Sequence, residues 1–228
     1  MQVEPSHVVD VGYAVYDNLL GASLTASGEP ATGYDGREAV ASAALAAALD
    51  AAWACACELD GAATRPSTSA PLMAFGFSKG GIVCNQLLAE LSAAPLPLAT
   101  EGDHEGSVER ASPPSPASAV LQRLRDIHFL DAGLPCRGAH ITDPKIVDAL
   151  GRRARSPTVW FHGTPRQWND PGRRWLVEEK DRSAALLATA GVRVVEAAYY
   201  EGEAPSLEQH FRVVSDFRLV EASSRDST

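Results

Sequence analysis

Short runs of β-branched and aromatic residues alternate along this chain with longer runs of helix-forming residues, and no other feature restricts its fold as much. The strand-type runs fall at 7–16 (HVVDVGYAVY), 71–77 (PLMAFGF), 127–131 (IHFLD), 157–162 (PTVWFH) and 192–200 (VRVVEAAYY). Their length and their content of Val, Ile, Phe, Tyr and Trp suit a pleated, half-buried surface. Between them lie helix-type runs. Residues 37–59 carry Leu45, Leu49 and Trp53 at four-residue spacing, and 80–91 place Ile82, Val83, Leu87 and Leu91 on one stripe. Residues 144–155 follow Asp143, an N-cap type, and begin with Pro144, whose missing N–H costs nothing in a first turn. Residues 174–190 stop at Gly191, and 207–220 form a closing helix-type run. Strands separated by helices are joined by crossovers rather than hairpins, so neighbouring strands run parallel. The expected fold class is α/β: a mostly parallel sheet with helices on both faces.

One stretch breaks the pattern. Between 93 and 119, Pro95, Pro97, Gly102, Gly106, Pro113, Pro114 and Pro116 interrupt any regular backbone, with acids interspersed, which predicts a solvent-exposed, disordered insertion. The rest reads as one domain over 1–228, because 228 residues with 45% hydrophobic content can bury a core without disulfides or metals. A net charge of −9 argues against binding DNA or RNA through the overall field. Cys55, Cys57, Cys84 and Cys136 have no metal-ligand spacing and read as reduced thiols, so no metal site is expected. The first residues show no secretion or transit signal. The apolar stretch 39–59 is mostly Ala, is broken by Asp50, and makes a poor transmembrane segment. Together these features predict a soluble, acidic, intracellular protein.

The chemistry centres on Gly76-Phe77-Ser78-Lys79-Gly80, which fits the Gly-x-Ser-x-Gly nucleophile elbow. Its glycines allow a sharp strand-to-helix turn that lifts the serine hydroxyl above the sheet, and here a strand-type run ends at Phe77 while a helix-type run starts after Gly80. An ordinary Gly-rich turn is the plainer alternative. No Gly-x-x-x-x-Gly-Lys-[Ser/Thr] or Gly-x-Gly-x-x-Gly pattern is present, which speaks against nucleotide binding. Ser hydrolases of α/β type order their triad Ser, acid, His. His210 lies after the last strand and is the one histidine past His162, so it is the candidate base; a surface histidine at a helix start is the alternative. His7, His104, His128 and His140 lie in less suitable places. The acid has two candidates. Asp170 follows the strand ending at His162, the usual place, and is preferred; Asp131 ends the preceding strand and is the second choice. The backbone N–H of Lys79 is one candidate oxyanion donor. Arg166, Arg173 and Arg174 offer a weaker reading, an anion-binding module.

Several segments resemble a family of eukaryotic α/β-hydrolase-like proteins that includes a human mitochondrial protein named after an open reading frame on chromosome two. The resemblance rests on Gly76-Phe77-Ser78-Lys79-Gly80 with Asn85-Gln86-Leu87-Leu88, on Leu130-Asp131-Ala132-Gly133, and on Thr164-Pro165-Arg166-Gln167-Trp168-Asn169-Asp170-Pro171. It extends to Glu203-Ala204-Pro205-Ser206-Leu207-Glu208-Gln209-His210-Phe211-Arg212-Val213 and an early Tyr16-Asp17-Asn18. The resemblance implies a serine-hydrolase-like fold with Ser78 and His210 as nucleophile and base, no particular substrate, and mitochondrial association in place of a cytoplasmic location. This chain departs from it in having 77 residues before Ser78, short of the several strands and the oxyanion loop that a complete α/β-hydrolase carries there.

Two functions are therefore expected to compete. One is a serine hydrolase acting on a small-molecule ester, thioester or lipid-like acyl substrate, with no metal or organic cofactor. The other is a pseudo-hydrolase that uses the same fold to bind a partner without turnover.

Overall fold

In a computed structural model, the structure describes residues 7–9, 13–15, 19–20, 24–25, 29–31, 33–60, 69–95 and 114–219. The first strand-type run forms two short strands, β1 (His7–Val9) and β2 (Tyr13–Val15), paired antiparallel in a sheet of their own. This corrects the single strand expected over 7–16, of which 10–12 and 16 lie outside the described residues. Helix α1 (Val40–Asp60) leads to β3 (Leu72–Phe77), a single 3-10 turn at Ser78–Gly80, and α2 (Gly81–Ala93). Then follow α3 (Pro116–Arg123), β4 (Leu124–Leu130), α4 (Pro144–Gly151), β5 (Thr158–Gly163), α5 (Pro165–Trp168), α6 (Arg174–Thr189), β6 (Val194–Ala198) and α7 (Leu207–Asp216).

The strands β3, β4, β5 and β6 lie side by side in that order, and every neighbouring pair is parallel. That is the expected α/β class. Within the expected insertion, 96–113 lie outside the described residues, but 116–119 belong to α3 and are ordered. Pro116, which argued for a broken backbone, is the first helical residue, and the Ser115 side chain caps it by accepting from the N–H of Ser118. Asp143 caps α4 in the same way, accepting from the N–H of Lys145.

Register places Ile127 beside Val159 and Phe129 beside Phe161 on one face of the sheet. There they are buried with Leu87 and Leu88 of α2, Ile146 and Leu150 of α4, and Leu187 of α6. The other face carries Phe75, His128 and Trp160 in one row, with Phe217, just past α7, against Phe75. Helices α2, α4 and α6 thus cover the first face, while α7 meets the second at Phe77 and leaves Met73 and Phe75 exposed; the alternation along each strand sorts its side chains between the two.

α1 is the one described helix long and apolar enough to cross a membrane by length and composition. Its start, however, is tied into the protein core. Glu90 of α2, 2% exposed, accepts from the N–H groups of Ala41 and Ser42 and from the Ser42 hydroxyl. A carboxylate there satisfies donors that a helix start leaves unpaired and complements its dipole.

Candidate active site

Among the described residues, three other than glycine have positive φ: Ser78 (53°), Asp131 (47°) and Tyr200 (55°). Each lies just beyond the C-terminal end of a parallel strand, β3, β4 and β6 respectively. A non-glycine residue held in this region is strained and persists only where its surroundings enforce it. The register pairs Phe77 with Leu130, so Ser78 and Asp131 are the next residues out from one pair. Both sequence candidates therefore emerge at one edge of the sheet, the carboxyl edge, where α/β proteins bind ligands.

The turn at Ser78 is enforced by packing. A Cβ on Gly76 would lie 2.5 Å from the carbonyl oxygen of Gly80 and 2.6 Å from Cys84 Sγ, so strand and helix approach too closely for a side chain. At Gly81 a Cβ would lie 2.7 Å from that of Ala132. Gly80 has open space and φ of −58°. The glycines that the geometry needs are thus Gly76 and Gly81, one residue beyond the motif.

Asp131 is fully buried, yet its carboxylate is well supplied with donors. Oδ1 accepts from the N–H of Thr164 at 2.7 Å, and Oδ2 lies 3.0 Å from the Thr164 hydroxyl and 2.6 Å from His210 Nδ1. A buried carboxylate is tolerable only when paired and hydrogen-bonded in this manner.

His210 is brought to Asp131 by the first turn of α7. Ser206 and Gln209 form a reciprocal capping box, the Ser206 hydroxyl accepting from the N–H of Gln209 and the Gln209 side chain from the N–H of Ser206. The imidazole, 6% exposed, packs at 4.6 Å between centroids against Phe77, the residue before Ser78, and at 5.3 Å against Phe211. With Nδ1 donating to Asp131, Nε2 is left as the nitrogen able to accept a proton.

Asp170, the preferred acid, is placed elsewhere. It caps the short 3-10 turn at Pro171–Arg173, accepting from the N–H of Gly172 at 2.9 Å and pairing with Arg173 at 3.1 Å. The Gly172 N–H and the Arg173 guanidinium hold its carboxyl below the usual range. The carboxylate at His210 is Asp131, the second choice. Arg173 also donates to the backbone carbonyl of Arg166, so two of its donors are committed within the loop. An open cleft of about 570 Å³ is lined by Trp168, Asn169, Asp170, Pro171, Arg174 and Val177, a set that includes none of Ser78, Asp131 and His210.

Burial keeps three other histidines neutral. It lowers His128 and His162 to about 4, the neighbouring His128 adding to the effect on His162, and lowers His140 to about 3 with help from Lys180. His128 Nδ1 and His162 Nε2 share a hydrogen bond at 2.9 Å within the sheet, and His162 Nδ1 bonds the Tyr199 hydroxyl at 3.0 Å. Lys79, next to Ser78, ion-pairs with the buried Glu29 at 3.0 Å.

Sequence reasoning missed Thr164 and Gln167. The signal that could have found Thr164 is Thr164-Pro165 directly after a strand-type run, a cap residue followed by a first-turn proline. It marks a helix start, α5, at the same sheet edge as Ser78.

A mitochondrial protein C2orf69 homolog of Danio rerio is 34% identical over 158 residues, covering 66% of this chain and 41% of the fish protein. Those of Mus musculus and Homo sapiens are each 31% identical over 140 residues, covering 60% of this chain and 33% and 31% of theirs. The matched part thus spans about a third of the length of these mitochondrial relatives. A crystal structure of a single-residue variant of Arabidopsis thaliana SOBER1 aligns over 90% of this chain and 71% of its own, at 16% identity and a TM-score of 0.38. That likeness is too loose to carry an argument, and the fold rests on this chain's own strand order. The profile of the C2orf69 family matches residues 25–193, and the chain is a member of that family.

Proposed function

We propose that this chain is a serine hydrolase of ester-type acyl bonds in the mitochondrion, with Ser78 as nucleophile, His210 as base and Asp131 as acid. The observation that carries the reading is the buried 2.6 Å contact of His210 Nδ1 with Asp131 at the sheet edge where strained Ser78 leaves β3. A hydrogen-bonded His–carboxylate pair is what fixes an imidazole in the tautomer a serine needs.

In the proposed reaction, Ser78 Oγ attacks the acyl carbonyl while Nε2 of His210 takes the hydroxyl proton. The imidazolium so formed is stabilised by Asp131. The Lys79 N–H donates to the oxyanion, and collapse expels the alcohol or thiol, which takes the proton back from His210. Water then repeats the sequence on the acyl-enzyme and releases the acid. No metal or organic cofactor takes part in this chemistry. The exposed ring of Phe211 and the half-buried ring of Phe77, 6.1 Å apart, border His210 and suit an apolar acyl group.

The test is covalent labelling with a fluorophosphonate probe. Wild type is expected to label, and Ser78→Ala to lose the label. Asp131→Asn should slow labelling on the order of 10⁴-fold by leaving His210 in the wrong tautomer. Asp170→Asn should stay within about twofold, since its partners are local. Folded wild type that takes no label would sink the proposal and favour the pseudo-hydrolase, a binding protein without turnover.

A further inference from the structure

We infer that Thr164 is a positioning residue, which sets both the orientation and the proton affinity of the Asp131–His210 pair. The inference rests on the reading of that pair as catalytic machinery and adds a component to it.

Thr164 makes two of the three described hydrogen bonds to the Asp131 carboxylate, one to each oxygen. Its N–H fixes Oδ1, and its hydroxyl donates to Oδ2, the same oxygen that receives His210 Nδ1. The residue is itself immobilised. It is 1% exposed, and its carbonyl accepts from the N–H groups of Gln167 and Trp168, both at 3.0 Å, as α5 begins. The turn also grips Asp131 from behind, where Gln167 Nε2 donates to the Asp131 carbonyl at 3.1 Å. The space for that amide exists because position 133 is glycine; a Cβ there would come within 2.6 Å of Gln167 Oε1. One turn after β5 therefore holds both the carboxylate and the backbone of a residue at φ 47°.

The hydroxyl matters electrically as well as sterically. A donor on Oδ2 draws off charge that would otherwise stabilise the His210 imidazolium. Without it, the carboxylate turns more freely and also becomes a stronger acceptor for Nδ1–H. Among the described contacts of the His210 ring the titratable partner is Asp131. Phe77 from β3 and Phe211 from α7 supply only rings.

The experiment follows the titration of His210 by NMR of histidine-labelled protein, beside fluorophosphonate labelling, in wild type, Thr164→Val, Thr164→Ala and Thr164→Ser. Valine and alanine should raise the His210 midpoint, since Oδ2 then keeps the charge that the hydroxyl drew off. They should slow labelling on the order of tenfold, and serine should restore both. A hydroxyl of merely structural worth would lower the folded fraction and leave the midpoint of the folded protein in place. An unmoved midpoint in Val or Ala, or a midpoint that Ser does not restore, overturns the inference. A midpoint that moves and returns, in a protein that takes no label, supports the clamp and rejects the hydrolase reading instead.

Discussion

At the scale of single residues, strain and hydrogen bonding separate the two aspartates that the sequence left open. Asp131 ends one strand-type run and Asp170 follows another, and nothing in their neighbours' identities says which will face the histidine. The decision depends on Asp131 leaving β4 at positive φ, which turns its carboxylate toward Thr164 and His210. Asp170 lies beyond a whole extra turn, α5, that the sequence reading did not anticipate, and its carboxylate is absorbed by the loop it caps. Ser78 and His210 could be named as candidates because motif and chain order single them out without any side-chain direction. The contrast between Asp131→Asn and Asp170→Asn in labelling rate is the direct check on this division.

Among the elements, the junction of β3 and α2 shows how a motif and its physical requirement can be one residue out of step. Gly76→Ala forces a Cβ to 2.5 Å from a backbone oxygen, which nothing flexible can relieve, whereas Gly80→Ala meets nothing within 4 Å. The expected result is a loss of about 2–4 kcal/mol for Gly76→Ala and a change within about 1 kcal/mol for Gly80→Ala, read from urea unfolding. The four parallel strands were legible because apolar runs of strand length alternate with helical ones. α3 and α5 were not, because both open on prolines, and a proline reads as a breaker until a cap residue before it is recognised.

For the whole molecule, the buried histidines tie stability to pH. Unfolded histidine titrates near 6.5, while burial holds His128 and His162 at about 4 and His140 at about 3 in the folded chain. As pH falls below 6.5 the unfolded state takes up protons that the folded state refuses. Their contribution is therefore complete above about 6.5 and declines as pH falls toward 4. Each histidine accounts for about 1.4 kcal/mol per pH unit, with His128 and His162 titrating as a pair. Thermal unfolding midpoints should fall between pH 6.5 and 4.5, less steeply in His140→Gln, if that variant folds. The order of strands has a different consequence. β5 is hydrogen-bonded on both sides, whereas β3, which leads into Ser78, pairs among the described strands with β4 alone. Its detachment would carry the serine away from Asp131, at the end of β4, and from His210, which α7 holds against Asp131. Loss of reactivity should then come earlier along a urea series than loss of the far-ultraviolet circular dichroism signal. The proposed site would come apart by peeling, while the body that holds its other two members still stands.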